Sequence, residues 1–517
     1  MSELEFKNNF LSREPNFTAN IISILQPEAH APLSVQTAVL LALEALLKQR
    51  SEVSGAYVAL NASANHGVLM FILRKAFSST GDQPAYPFEF MSALYAFLSA
   101  MATNLNGGQL LVSAGVIPIF ASALKQTQPK QQRSAGRIAK LLDGLISSTA
   151  SAFPAFCSAN GITALANRIH GEVCAAVSIS DANPEAANDL SSPIKPPRLE
   201  DITRQLYRRH EILPAEHIYL LKELFKFLSH LLQQPTYHDR LRNLVETDLP
   251  STLRTVITHP AAFGGNIYGS AISISAMLVH NEPTSLPIIQ EARLPETMLS
   301  CLEKHLPYSG DVIMNIPAAL GAFCLNDVGM EQFRKSKIIS KVLGAFSDPD
   351  FVRVLQEGDV PGSFGAALDE FMRHFPIVKD EIIGDIIAML QNVVDMGNEG
   401  SSLQKLGPGH TFLLRTAQEA DIKTHLDDFY GMMLESATTF LEGFLEQRTH
   451  SKLFLDKGGW VLVVKAMRSP LLSFDFVKSR TFKSLHGLSS TLLDTSQEMV
   501  YQALFRGLKD CLALPQI

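Results

Sequence analysis

Apolar residues along this chain recur three and four positions apart. Leu221, Leu224, Phe225, Leu228, Leu231 and Leu232 line one broad face of a helix, and Ile382, Ile383, Ile386, Ile387, Leu390, Val393 and Val394 repeat the arrangement. Stripes this wide touch neighbours on two sides, as the inner helices of a stack do. Val, Thr and Tyr do not alternate regularly between hairpin turns, so no strands are expected. Above the helical period lies a longer one, in which an apolar helix end, a turn residue and a second apolar helix follow one another. It reads LLVSAGVIPIFASAL at 110–124, AFCSANGITALANRI at 155–169 and NLVETDLPSTLRTVI at 243–257. It returns as PIIQEARLPETMLSCL at 287–302, QFRKSKIISKVLGAF at 332–346 and LFLDKGGWVLVVKAM at 453–467. With Gly115, Gly161, Asp248, Arg293, Lys337 and Gly459 as the turn positions, the separations are 46, 87, 45, 44 and 122.

Those separations are roughly one, two, one, one and three units of about 40–47 residues, the period of armadillo and HEAT repeats. The pattern predicts an all-α fold, an armadillo/HEAT-like superhelical solenoid. Length agrees with it. A chain of 517 residues is too long for one compact core, but a solenoid's core grows with its length because each repeat packs only on its neighbours. One segment interrupts the pattern: Ser178 to Glu200 reads SISDANPEAANDLSSPIKPPRLE, rich in proline and poor in large apolar residues. Too little surface can be buried there to offset the entropy of ordering it. The expected division is therefore an armadillo-like block at 1–177, a Pro/Ser-rich linker at 178–200 and a second armadillo-like block at 201–517. Ser192-Pro193 reads as an ordinary exposed pair. A softer break at 395–409 (DMGNEGSSLQKLGPG) is expected to be a long inter-helix loop.

Composition narrows the core. Apolar residues make up 46%, aromatics 8%, and Trp occurs once, so the interior must be built mainly from Leu, Ile, Val and Ala. A net charge of −7 disfavours nucleic-acid binding by bulk electrostatics. A local basic strip remains open, and one candidate, Lys125, Lys130, Arg133, Arg137 and Lys140, reads as a solvated helix face or loop. The five cysteines, Cys157, Cys174, Cys301, Cys324 and Cys511, are scattered and form no CxxC pair. They encode neither a zinc site nor a disulfide framework, which points to a reducing compartment. The first residues, MSELEFKNNF, have neither a basic nor an apolar region of a signal peptide. The longest ambiguous apolar stretch, 107–124, is interrupted by Gly115 and Pro118, so no run of the ~20 residues needed for a membrane span is expected. The expected location is cytoplasmic and/or nuclear, with no membrane partner.

Candidate chemistry is sparse. Gly407-Pro408-Gly409 follows no strand, lacks a third Gly and a Lys, and spends one backbone donor on proline, so it is not a phosphate loop. His210 and His217, and His230 and His238, stand seven and eight apart, which matches no metal-ligand pattern. These histidines read as partly exposed helix positions. Asp369, Glu370, Glu381 and Asp385 fall where amphipathic helices show solvent, and no GxSxG elbow occurs. No catalytic, cofactor-binding or metal-ligating residue is singled out, and no cofactor is expected.

Several phrases carry a family resemblance. They are LKELFKFLSHLLQ at 221–233, LRNLVETDLPSTLRTVI at 241–257, and LVHNEPTSLPIIQEARLPE at 278–296, which is the most specific. DVIMNIPAALGAFCLNDVGMEQF at 311–333, GSFGAALDEFMRHFP at 362–376, THLDDFYGMMLESATTFLEGFLEQRTHSKLFLDKGGWVLVV at 424–464 and LLSFDFVKSR at 471–480 add to them. Together they resemble the N-terminal armadillo-like region of the giant HECT-type E3 ubiquitin-protein ligases of fungi and animals. The N-terminal block resembles the preceding segment of the same ligases more loosely. In physical terms the phrases need no catalysis. Asn281 and Pro283 punctuate an inter-helix turn, Pro317 kinks or starts a helix, Asn326 suits a helix end, and Gly362 and Gly365 allow helices to approach closely.

The resemblance implies substrate capture within a large ubiquitin ligase. It also carries a departure: HECT domains form a ubiquitin thioester on a cysteine in a Leu-Pro-x-Ala-x-Thr-Cys-Phe type motif, and Cys511 in GLKDCLALPQI matches none of it. The implied role is a non-catalytic scaffold that holds protein substrates, basic or unstructured segments above all, near a transferase supplied by the rest of a HECT ligase in cis. The other readings are a stand-alone protein-interaction scaffold and a transport adaptor. The adaptor reading needs a repeated Trp/Asn ladder, which a chain with Trp460 alone does not have.

Overall fold

A computed structural model describes residues 16–48, 67–77, 85–126, 132–182, 213–403, 419–469, 471–472, 476 and 478–512. Among the described residues there is no strand, and the chain is all-α, as the apolar periodicity requires. It divides into two compact units, Met1–Ser178 with Leu213–Leu249, and Ile179–Ile212 with Pro250–Ile517.

The first unit contains α1 (Phe17–Ser23), α2 (Leu33–Leu47), α3 (Gly67–Phe77), α4 (Phe88–Ala102), α5 (Leu105–Ser113) and α6 (Val116–Leu124). It continues with α7 (Gln132–Ser148), α8 (Ala152–Ser158), α9 (Gly161–Asp181), α10 (Ala215–Gln233) and the short α11 (His238–Leu241). Its longer helices stack in a row, α2 on α4, α4 on α7 and α7 on α10, beside a second row of α3, α6 and α8. The stripe read from sequence on α10 is the buried face: Leu221, Leu224, Phe225, Leu228, Leu231 and Leu232 are all in the core. Each such side chain contributes about 1.5–3 kcal/mol on burial.

The second unit includes α12 (Leu249–Thr258) from Pro250 on. It holds α13 (Pro260–Asn281), α14 (Leu286–Glu291), α15 (Leu294–Lys304), α16 (Gly310–Phe323), α17 (Asp327–Lys335) and α18 (Ile338–Gly344). Then come α19 (Pro349–Leu355), α20 (Val360–His374), α21 (Lys379–Leu403), α22 (Glu419–Phe444), α23 (Arg448–Asp456), α24 (Gly459–Ala466), α25 (Arg480–Thr495) and α26 (Gln497–Leu512). One row runs α13, α16, α20, α22, α25 and the other α15, α18, α21, α24, α26, each helix packed on the next of its row. This is the packing a repeat array needs, since every unit meets only its neighbours. Side-chain bonds reflect it. Gln290 and Asn326 exchange two hydrogen bonds of 3.0 Å across 36 positions, and Arg334 reaches Glu381 across 47.

A left-handed backbone residue makes the turn in four of the six repeats, while the turns at Asp248 and Lys337 have none. Gly115, Arg293 and Gly458 are left-handed, with φ of 85°, 56° and 79°. In two repeats the left-handed residue precedes the expected one: Asn160 (φ 55°) rather than Gly161, and Gly458 rather than Gly459. Lys337 is not left-handed at all, with φ −103°, and joins its helices without a reversal of hand. Gly161 and Gly459 are glycines for a different reason. A Cβ there would lie 2.3 Å and 2.2 Å from the rings of Phe156 and Phe454.

Several expectations change. Residues 178–181 complete α9, while 183–212, with most of the expected linker and Ser192-Pro193, lie outside the described residues. Residues 213–249, expected in the second block, instead join the first unit, because the apolar face of α10 is buried on α7. Residues 395–403 continue α21 instead of forming a loop, and Gly407-Pro408-Gly409 lie outside the described residues. Pro317 sits inside α16, and Asn326 caps the start of α17, its side chain accepting from the Gly329 N–H at 2.9 Å. Against the expectation that no run is long enough, α13 is long and apolar enough to cross a membrane, with 67% of its most apolar window buried. It is nearly charge-free because Ile267, Tyr268, Ala271, Ile272, Ile274, Ala276, Leu278 and Val279 leave it little exposed face. The bent pair α5 and α6 passes the same test only when joined, across a 75° break.

Candidate interaction surface

Two polar clusters lie inside the helix rows, and each determines what its residues can do. In the first unit Glu172 of α9 accepts from Arg168 Nε at 2.8 Å, Gln132 Nε2 at 3.0 Å and His217 Nε2 at 2.9 Å. Arg168 also donates to the carbonyls of Leu124, at 3.1 Å, and Gln126, so one guanidinium closes the end of α6. Burial alone would push the Glu172 carboxyl up. The hydrogen bond from His217 and the Arg168 charge outweigh that, with help from Gln132, and hold it below the usual carboxylate range. A carboxylate occupied this fully has little capacity left to act as a base.

In the second unit Asp369 of α20 pairs with His450 Nδ1 of α23 and, at 3.3 Å, with Arg373 Nε. His450 Nε2 has no partner among the described residues. Both Asp369 and His450 are enclosed between helices. The solvent-face reading of Asp369 is therefore wrong, as is the partly exposed reading of His217, which is fully buried. The other acids do face solvent or nearly so. Glu370 lies 3.9 Å from His374, Glu381 pairs with Arg334 at 2.6 Å, and Asp385 is half-buried, which pushes its carboxyl up. His230 holds Asp143 at 2.8 Å, and His210 lies outside the described residues. Among the described residues, no group of three His, Cys, Asp or Glu could hold a metal ion.

Cys324 is buried and its thiol is pushed up to about 12 by desolvation, whereas Cys174 is exposed. The Cys511 side chain lies outside the described residues. Trp460 is buried in α24, its ring unavailable to clamp a ligand.

The surface rather than the interior therefore carries the candidates. The basic strip is more structured than a solvated face. Arg133 and Arg137 lie one turn apart on α7 and both reach the Phe88 ring, at 4.9 Å and 5.9 Å, while Arg137 also sits 5.2 Å from the Tyr95 ring. Lys140 continues the face, Lys125 ends α6, and Lys130 lies outside the described residues. In the second unit, α26 exposes Tyr501, Phe505 and Leu508 on one stripe. Sequence reasoning found the arginines but not Phe88 beneath them, 45 positions earlier, although one repeat period was the available signal.

Comparison with known proteins bears on the whole chain. The family described as "Domain of Unknown Function (DUF913)" matches residues 136–420, more than half of the sequence, and "Domain of Unknown Function (DUF908)" matches residues 1–78. The E3 ubiquitin-protein ligase ptr1 of Schizosaccharomyces pombe is 27% identical over 511 residues, covering 98% of this chain and 15% of its own length. The E3 ubiquitin-protein ligase HUWE1 of Mus musculus is 24% identical, over 73% of this chain and 9% of its own. UPL1 of Arabidopsis thaliana, also named an E3 ubiquitin-protein ligase, is 24% identical over 75% and 10%. The chain thus spans about a sixth or less of these relatives.

Proposed function

The chain belongs to the DUF913 family, the N-terminal helical region of the HECT-type E3 ubiquitin ligases, and we propose that it is a non-catalytic scaffold recruiting substrates for ubiquitination. The observation that carries this reading is the near-complete alignment with ptr1, which uses 98% of this chain and leaves most of that ligase outside it. Transfer chemistry then belongs elsewhere in such a ligase, and this region contributes surface. Stacked helix rows favour that role physically. They are stiff along their length, and a rigid surface raises the local concentration of what it holds without ordering a loop first. The two buried polar clusters support the same reading, since their carboxylates are engaged in joining helices, Glu172 to Gln132 and His217 and Asp369 to His450. Its partners are protein substrates and, in cis, the remainder of a HECT ligase, and its place is the cytoplasm or nucleus.

Competition tests the reading. The purified chain is added to a reaction containing a full-length ligase of the family, its conjugating enzyme and a substrate. Substrate modification is expected to fall as the chain is titrated in, with ubiquitin loading of the ligase unchanged. Unaffected substrate modification, or a ubiquitin thioester on this chain itself, would overturn it.

A further inference from the structure

We propose that the face shared by α4, α7 and α10 in the first unit is a docking site for an acidic peptide segment. The acidic balance of the whole chain, −7, suggests basic partners, but the charges on this face have the opposite sign. Arg133, Arg137 and Lys140 repeat at four and three positions along α7, and Lys226 stands on the neighbouring α10. Among the described residues none of these four forms an ion pair with a carboxylate, although Arg168, Arg334 and Arg468 do so elsewhere. The nearest acids are occupied or outnumbered. Asp143 is engaged by His230 at 2.8 Å, leaving Glu223 among Lys140, Lys226 and His230.

Aromatic rings hold the two guanidiniums instead. Phe88, 55% exposed, is an expensive residue to leave in water, and it lies beneath Arg133 and Arg137. Tyr95 supports Arg137 and is itself fixed by donating its hydroxyl to the Ser134 carbonyl at 3.2 Å. On the other side a Cβ on Gly136 would meet the Tyr219 ring at 2.7 Å, so α10 is drawn tightly against the same face. A ring stabilises a cation through its quadrupole yet leaves the N–H groups at the guanidinium edge free. Two orientated, unneutralised forks are what a carboxylate pair on an extended peptide requires. The rise of about 1.5 Å per residue puts Arg133 and Lys140 about 10 Å apart, the reach of about three extended residues.

The same geometry disfavours a nucleic acid. The four cations named on this face, in a chain whose net charge is −7, make too short a track for the many phosphate contacts on which nucleic-acid affinity depends. The inference extends the recruiting role proposed above, but its test measures binding alone, so either can fail without the other.

Fluorescence anisotropy with the whole chain and a labelled short polyglutamate peptide decides it, with polylysine and single-stranded oligothymidylate as comparison probes. Polyglutamate is expected to bind, to weaken as salt rises, and to lose affinity by about tenfold or more in the double variant R133E/R137E. Lys226→Glu, on a different helix, is expected to weaken binding in the same direction. Far-UV circular dichroism and the thermal midpoint show that both variants remain folded. Absent polyglutamate binding, binding untouched by folded R133E/R137E and Lys226→Glu, equal binding of polylysine, or tighter binding of the oligonucleotide would each overturn the proposal.

Discussion

Glu172 shows how much one buried residue can hold. Three side chains donate to it, and its carboxyl sits below the ordinary range despite burial. A depressed folded-state pKa contributes stability that is present above the unfolded value, 4.5, and is lost as pH falls through the folded value. Acid should therefore loosen α9 first below about pH 4.5, read as faster amide exchange in that helix. Glu172→Gln leaves Arg168 buried without its counter-charge. It should cost about 3–5 kcal/mol and flatten the acid limb of the stability curve, measured by denaturant titration across pH. None of this could be read from sequence. His217 is 45 positions from Glu172, and Asp369, which looks like a solvent-facing acid, is buried by His450, 81 positions on.

The helices and their joints were far more legible. Their apolar stripes predicted which faces are buried, because a helix places every third or fourth residue on one side whatever it packs against. The turns were located to within a residue, yet their handedness was not. Arg293 takes a left-handed backbone at a cost of about 1 kcal/mol that glycine avoids. Arg293→Gly should raise the thermal midpoint, Gly458→Ala should lower it by a similar free energy, and Lys337→Gly should bring no such gain. Close packing of α20 on α22 gives a second contrast. A Cβ on Gly365 would lie 2.2 Å from the Phe440 carbonyl oxygen, and one on Gly443 would lie 2.3 Å from that of Gly362. Gly365→Ala should destabilise by about 1–3 kcal/mol through overpacking. Gly321→Ala in α16 meets nothing within 4 Å and should be neutral or stabilising. Thermal melts of both variants make the comparison.

For the chain as a whole, the consequential difference is where the first unit ends. A fragment ending at Glu200, the boundary that composition suggests, removes α10 with its buried Leu220, Leu221, Leu224 and Leu228 and uncovers the face of α7 on which Gly136 meets Tyr219 and Asp143 meets His230. A fragment ending at Leu249 keeps that face covered. The shorter fragment should bind a hydrophobic dye and melt at least about 10 °C lower, as expected when several core side chains lose their partners. Equal melting of the two would place the boundary back at the proline-rich segment.

The amino-acid sequence alone dictated the helices, their repeat length, the mainly aliphatic interior and the family likeness, because each depends on residues a few positions apart or on composition. Some partners lie one repeat apart, Phe88 with Arg133, Glu172 with His217 and Arg334 with Glu381 at 45 to 47 positions. Gln290 with Asn326 at 36 and Asp369 with His450 at 81 do not, so the period alone names no pair. Which polar residues are buried, which arginines rest on rings and which unit owns α10 were settled by packing. Burial and pairing are properties of two surfaces in contact, and a one-dimensional pattern describes only one of them at a time.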